Sequence, residues 1–198
     1  MLIEVKTGDV LVCVNNRTDL FSKIKRWAMG PYEHVEAYIG NGLYGIPLLV
    51  ESDNRGVVLQ NIAHQDGRRV MVMRPIRNVR RKDLVSQAVI IASDSKSDYD
   101  WTGGLKFAAF RVLREKFGIK RPLIRVYERD KKMICSEAIA ELFWRSDIPV
   151  LPDDVIPIPA DFAVESFWLT YVGEGNMTLV TDDDESLDLY IEDGQENE

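Results

Sequence analysis

Residues 34–40, His34-Val-Glu-Ala-Tyr-Ile-Gly40, decide the fold that the sequence predicts. Their odd positions, from Val35 to Ile39, are apolar, whereas their even positions carry a histidine, a glutamate and a tyrosine. Successive side chains of a strand point to opposite faces of a sheet. The alternation therefore predicts a half-buried strand with an apolar face toward the core and a polar face that includes His34.

Short β-branched or apolar runs on either side of this strand predict further strands. They cover residues 9–14, 48–51, 56–62 and 69–76. Turn-forming residues separate several of them, as at Asn41-Gly42 and Asp53-Asn54-Arg55. Strands joined by such short turns are typical of an antiparallel meander.

Helical spacing of apolar residues appears in four other segments. Residues 20–28 form a short amphipathic pattern before the sheet, and residues 84–91 and 105–112 form two more after it. The fourth begins at Cys135, where Ala138, Ile139, Leu142 and Phe143 form an apolar stripe. This spacing predicts a helix whose first turn carries Cys135.

The chain has 198 residues, which is enough for one domain with a sizeable core. Its last residues, 182–198, hold nine acidic side chains and no basic one. Such a segment has few apolar residues with which to offset the entropy of ordering. We therefore expect one domain over residues 1–181 and an acidic, disordered tail over residues 182–198 that is dispensable for folding.

Composition limits the classes of protein to which the chain can belong. It is 45% hydrophobic and 29% charged, as in ordinary globular proteins. No apolar run approaches the ~18 residues of a membrane span, and Glu4 and Lys6 interrupt any signal peptide. These features predict a cytoplasmic location, with a phage or virion origin as the alternative.

Cys135 is the candidate nucleophile. The amino end of a helix supplies partial positive charge and free N–H groups, which stabilise a thiolate. The chain's other cysteine, Cys13, lies between Val12 and Val14 in a predicted strand interior, where a cysteine packs as a small apolar residue. The two cysteines lack CxxC spacing, so we expect no disulfide framework.

His34 and Glu51 are the candidate partners of Cys135. An imidazole can form an ion pair with the thiolate and later protonate a leaving group. A carboxylate that accepts the second ring N–H fixes the tautomer and stabilises the imidazolium. Glu51 ends an apolar strand just before a turn and is the candidate for this role, with Glu36 and Asp53 as alternatives.

Four short motifs occur in a suggestive order along the chain. They are Gly8-Asp9-Val10-Leu11, residues 34–40, Val50-Glu51 with Gly56-Val57, and Ile134-Cys135-Ser136-Glu137. This order resembles the permuted NlpC/P60 hydrolases, a group that includes YiiX-like proteins and relatives of lecithin:retinol acyltransferase, in which the histidine precedes the polar residue and the cysteine comes last. The resemblance spans about residues 7–165 and includes a Pro-containing segment, residues 157–161.

The resemblance implies an α+β, papain-like fold in which an antiparallel sheet packs against the cysteine-bearing helix. It also implies a cysteine peptidase or amidase that cleaves an amide, ester or thioester bond through an acyl-enzyme on Cys135. Glu36 is a departure, since strands of this type often carry a small residue at that position. An acyltransferase or lipid-ester hydrolase, and a non-catalytic module that binds peptide or polymer, are the alternatives.

We expect no cofactor and no metal. The side chains of His34, His64, Cys13 and Cys135 could formally bind an ion, but their scattered positions lack the local pairs of a zinc site. Basic stretches over residues 68–82 and 106–132 are predicted to be solvated helix faces, so no nucleic acid partner is expected. The predicted partner is a peptide, cell-wall or acyl substrate, and oligomeric state is left open.

Overall fold

The structure is a computed structural model that describes residues 2–14, 23, 30–42, 45–53, 55–65, 67–94, 133–152, 157–181 and 187–193. Apart from residue 23, the predicted helix over residues 20–28 lies outside these ranges, as do the predicted helix over residues 105–112 and the basic stretch over residues 106–132.

Eight strands form one antiparallel sheet in the described part of the chain. They are β1 (Leu2–Glu4), β2 (Val10–Val14), β3 (Tyr32–Asn41), β4 (Pro47–Asp53), β5 (Gly56–Asn61), β6 (Arg69–Pro75), β7 (Leu169–Thr181) and β8 (Leu187–Asp193). Their order across the sheet is β1-β8-β7-β6-β2-β3-β4-β5. The strands expected in residues 9–76 are confirmed, because β2 to β6 lie where alternation and turn residues predicted them.

Three α-helices accompany the sheet in the described ranges: α1 (Arg81–Asp94), α2 (Cys135–Arg145) and α3 (Pro159–Phe162). A 3-10 turn, Ile62–Gln65, joins β5 to β6. Helix α2 begins where the Ile134 N–H donates to the Glu137 carboxylate at 3.1 Å, which satisfies one of the unpaired donors at a helix start. None of the described helices is long and apolar enough to cross a membrane.

Each face of the sheet buries its own apolar cluster. On one face, Val35, Ala37 and Ile39 of β3 pack with the apolar stripe of α2 and with α1. On the other face, Leu11 and Leu49 pack with side chains of β7 and β8. Strands β4 and β8 contact each other although they are far apart in the strand order, so the sheet curves over its second cluster.

The predicted α+β, papain-like arrangement is wrong for this chain. The structure is mostly antiparallel β-sheet, with eight strands and few helices in its described part, and helices α1 and α2 pack on one face of that sheet only. The sequence analysis missed how far the sheet extends, because none of β1, β7 and β8 was assigned to it. These strands let the sheet curve over one of its own faces, and no α-helix of the described ranges contributes to the apolar cluster on that face.

Strand β8 also differs from the expectation that residues 182–198 form a disordered tail. Residues Leu187–Asp193 pair with β7 on one side and with β1 on the other. The physical reason is the alternation of this segment, in which Leu189 and Ile191 are buried while Asp188, Tyr190 and Glu192 lie on the more exposed face. Because the segment is so acidic, the sequence analysis did not recognise the strand-like alternation within it.

We expect Leu189→Ala to destabilise the protein by about 2–5 kcal/mol, because it opens a cavity under β8. The Leu189 side chain is 1% exposed. Leu2→Ala on the adjacent strand β1 is the matched control, since Leu2 is 51% exposed and should cost less than about 0.5 kcal/mol. Urea unfolding measures the stability of both variants. Equal unfolding midpoints would show that the Leu189 side chain of β8 does not contribute to the core.

Candidate active site

The candidate site lies where β3 and β4 separate. The pairing of these strands ends at Ala37 opposite Val50, so residues 32–36 of β3 extend beyond it. Beyond this point β4 continues to pair with β5 through Glu51 and Asp53. Helix α2 packs against both β3 and β4, and its first residue, Cys135, is buried beside this gap.

Two serine hydroxyls fix the chain on either side of Cys135. Ser52 of β4 donates to the Met133 carbonyl at 2.8 Å, and Ser136 donates to the Pro157 carbonyl at 2.6 Å, just before α3. Both hydroxyls are fully buried, where such hydrogen bonds are costly to lose. They attach the helix start to the sheet on one side and to the loop before α3 on the other.

The structure brings the three predicted site residues together. His34 and Cys135, 101 positions apart in the chain (135 − 34), lie close enough for the charge and hydrogen bonding of each side chain to shift the pKa of the other. The Nε2 of His34 lies 2.9 Å from Glu51 Oε2. Because Nε2 faces Glu51, Nδ1 is the ring nitrogen left for the Cys135 sulfur.

Backbone N–H groups also face the Cys135 sulfur. Tyr38 exchanges backbone hydrogen bonds with Asp9 and Gly8, so the even positions of this part of β3 turn their amides toward β2. Val35, at an odd position, turns its N–H toward the gap beside β4 and hydrogen-bonds Cys135. The Ser136 N–H in the first turn of α2 does the same.

These contacts decide the charge of the Cys135–His34 pair. Burial raises the pKa of the Cys135 thiol, but the His34 charge, the His34 hydrogen bond and the N–H groups of Val35 and Ser136 outweigh it and lower that pKa. Burial lowers the pKa of His34, but Cys135, Glu51 and Glu36 together raise it to about 10. The favoured state is a thiolate paired with an imidazolium.

The other two candidate carboxylates are placed differently. Asp53 accepts hydrogen bonds from the Arg55 backbone N–H at 2.7 Å and from Arg55 Nε at 2.8 Å, and these and the Arg55 charge lower its pKa despite partial burial. Glu36 Oε1 lies 3.6 Å from His34 Nε2. By distance, Glu51 is therefore the primary partner of His34, and Glu36 is a second carboxylate behind it.

A polar network that the sequence analysis did not foresee surrounds Glu36. Its Oε1 accepts from Gln65 Nε2 and Arg68 Nη1, each at 3.0 Å, and from the Cys13 thiol at 3.5 Å. Burial is the main reason that the pKa of Cys13 is raised well above its usual value. Arg68 and Gln65 belong to the 3-10 turn region, and no local pattern linked that region to β3.

His34, Glu36 and Glu51 have the composition of a metal site. Their ligand atoms lie within 4.8 Å of one another, and imidazole with carboxylates suits zinc or manganese. However, the Arg68 guanidinium already binds Glu36 and supplies positive charge there. The donor set therefore fits a cation poorly.

Comparison with protein-family models gives no match for this sequence, and a search of curated proteins gives none either. The resemblance carried by the four motifs therefore remains a prediction.

Proposed function

We propose that this protein is a cysteine hydrolase that cleaves an amide, ester or thioester bond through an acyl-enzyme on Cys135. One observation carries the proposal: Cys135, at a helix start, lies beside His34 so that each shifts the other's pKa, and His34 Nε2 lies 2.9 Å from Glu51. A nucleophile, a base and an orienting group in this sequence of contacts have the geometry of nucleophilic catalysis. The order of the motifs along the chain adds support.

In the first step the Cys135 thiolate attacks the substrate carbonyl carbon. A C–S bond forms, and the carbonyl electron pair moves to oxygen to give a tetrahedral oxyanion. The N–H of Cys135 lies in the first turn of α2, where amides have no intrahelical acceptor, and is suited to bind that oxyanion. When the intermediate collapses, the leaving amine, alcohol or thiol takes the proton of the His34 imidazolium.

In the second step His34, now neutral, accepts a proton from water as the water attacks the thioester. The second tetrahedral intermediate then breaks its C–S bond and releases a carboxylic acid. The sulfur leaves as a thiolate, which restores its pair with the imidazolium. Glu51 holds the imidazole tautomer and stabilises its positive charge in both steps.

The proposal is tested by trapping the acyl-enzyme. The protein is incubated with a panel of thioester, ester and peptide-amide substrates, quenched in acid and digested for mass spectrometry. We expect an acyl group on Cys135 and turnover to free acid in water. Transfer to an added amine or alcohol in place of water would favour the acyltransferase, and an unmodified Cys135 with every substrate would favour the binding module.

The alkylation of Cys135 by iodoacetamide should stay fast below the ordinary thiol pKa range. The thiolate exists above the lowered pKa of Cys135, and the imidazolium persists up to the His34 pKa of about 10. The rate should therefore fall only as pH falls through the lowered Cys135 pKa. In hydrolysis, kcat/KM should also fall on the alkaline side near pH 10, and a single rise centred on an unperturbed thiol would contradict the ion pair.

A further inference from the structure

The proposed mechanism leaves Glu36, a buried charged group beside His34, without a role. Glu36 lies in the middle of β3, and its side chain is completely buried. A buried carboxylate is costly unless it is paired and hydrogen-bonded. Retaining one beside a reactive histidine therefore calls for an explanation in the chemistry of the site.

Glu36 is held in one position from several elements. Its Oε1 accepts from Cys13 on β2 and from Gln65 and Arg68 before β6. Arg68 is itself held by Gln65 Oε1 at 2.6 Å and by Glu33 at 3.4 Å. These contacts hold Oε1, the oxygen of Glu36 that lies 3.6 Å from His34 Nε2, in place.

The second oxygen, Glu36 Oε2, is buried and has no hydrogen-bond partner in the described part of the protein. The carboxylate faces the Nε2 edge of His34, with Oε1 at 3.6 Å, while Glu51 lies at 2.9 Å from the same nitrogen. One N–H thus meets two carboxylates, one in direct hydrogen bond and one just beyond it. The charged groups that face Glu36 are His34, Glu51 and Arg68, with the Cys13 thiol beside them.

We propose that Glu36 is a second positioning carboxylate for His34, which shares with Glu51 the stabilisation of the imidazolium and is held in place by Arg68. This inference rests on the proposed function, because it concerns the same Cys135–His34 pair. It gives a role to the charge that is buried in the middle of β3. It also makes the site tolerant of the loss of one carboxylate.

The effects of Glu36 and His34 on each other's pKa agree with this role. Burial and the Glu51 charge raise the pKa of Glu36 above its ordinary value, and the charges of His34 and Arg68 partly offset this rise. A charged Glu36 in turn contributes to raising the pKa of His34. Glu36 and His34 therefore favour each other's charged forms.

The test compares Glu36→Gln, Glu51→Gln and the double variant. We expect Glu36→Gln to lower the His34 pKa from about 10 by roughly one unit, which moves the alkaline fall of kcat/KM to lower pH by the same amount. The double variant should lower the His34 pKa further than either single variant. Glu33→Gln is the matched control, because it removes the same charge from β3 and from Arg68 but leaves the Nε2 edge of His34 unchanged.

A second measurement separates positioning from a structural role. The His34 imidazole, followed by NMR through a pH titration, should lose its proton at lower pH in Glu36→Gln than in the unaltered protein. If Glu36→Gln does not fold, Glu36→Asp keeps the charge but moves it one methylene away, and the His34 titration should shift in the same direction by less. An unchanged titration in the folded variant would overturn the proposal.

Two further outcomes are distinguishable from these. If Cys135 of the unaltered protein forms no acyl-enzyme while Glu36→Gln still shifts the His34 titration, the proposed function fails and the positioning role stands. If the purified protein carries one equivalent of a divalent metal that Glu36→Gln loses, the cluster is a metal site and the positioning role is overturned. Elemental analysis of both proteins decides this point.

Discussion

Replacing Cys135 by alanine should abolish hydrolysis, with a loss of about 10⁴-fold or more in kcat. The reason is that no other described group lies where it could form the acyl intermediate, and removing the nucleophile of a triad leaves only the catalysis that binding and oxyanion contacts provide. The acyl adduct in the trapping experiment should disappear as well. Turnover and adduct mass are measured on the same preparation.

Cys13→Ala is the matched control for this variant. Cys13 is fully buried, its thiol donates to Glu36, and burial keeps its pKa high, so it does not act as a nucleophile. The variant should retain the Cys135 adduct and turnover of the same order as the unaltered protein. Adduct formation that follows Cys13 instead of Cys135 would contradict the assignment of the nucleophile.

Replacing His34 by alanine should lower kcat/KM by roughly 10²–10⁴-fold, the usual contribution of general acid–base catalysis. It removes the charge and the hydrogen bond that lower the Cys135 pKa, and it removes the proton donor for the leaving group. Alkylation of Cys135 should then need a higher pH, while the contributions of the Val35 and Ser136 N–H groups remain. Alkylation quenched at set times, followed by mass-spectrometric mapping of the labelled cysteine, measures this shift in pH dependence.

Tyr32→Phe is a suitable control for the His34 variant. It lies two residues earlier on the same strand, and its hydroxyl contacts Met71 at 3.8 Å rather than the reactive pair. It should leave the pH dependence of alkylation unchanged. An equal loss in both variants would show that the strand as a whole, rather than the imidazole, supports the reactivity of Cys135.

The sequence predicted those features that depend on neighbouring residues. Alternation located β2 to β6, and it assigned Val35 to the apolar face of β3. Helical spacing placed Cys135 in the first turn of α2. These features follow from backbone periodicity, which a few consecutive residues display without any knowledge of the rest of the fold.

The fold class could not be predicted in the same way. Strand β8 lies in an acidic segment that looks unable to order itself, and it becomes stable because β1 and β7 pair with both of its edges. The curvature that closes the second cluster also depends on contacts between strands distant in the chain. The average composition of a segment does not show which distant strands it can pair with.

Within the site, the sequence by itself determined which residue types were available: a cysteine at a helix start, a histidine on a strand and nearby carboxylates. Only the tertiary structure decided that Glu51 lies nearest to His34, that Asp53 turns to Arg55, and that Glu36 is clamped by Arg68. The physical reason is distance. Hydrogen bonds and charge effects on pKa act over a few ångströms in space, and the separation of β3 from β4 sets those distances between residues far apart in sequence.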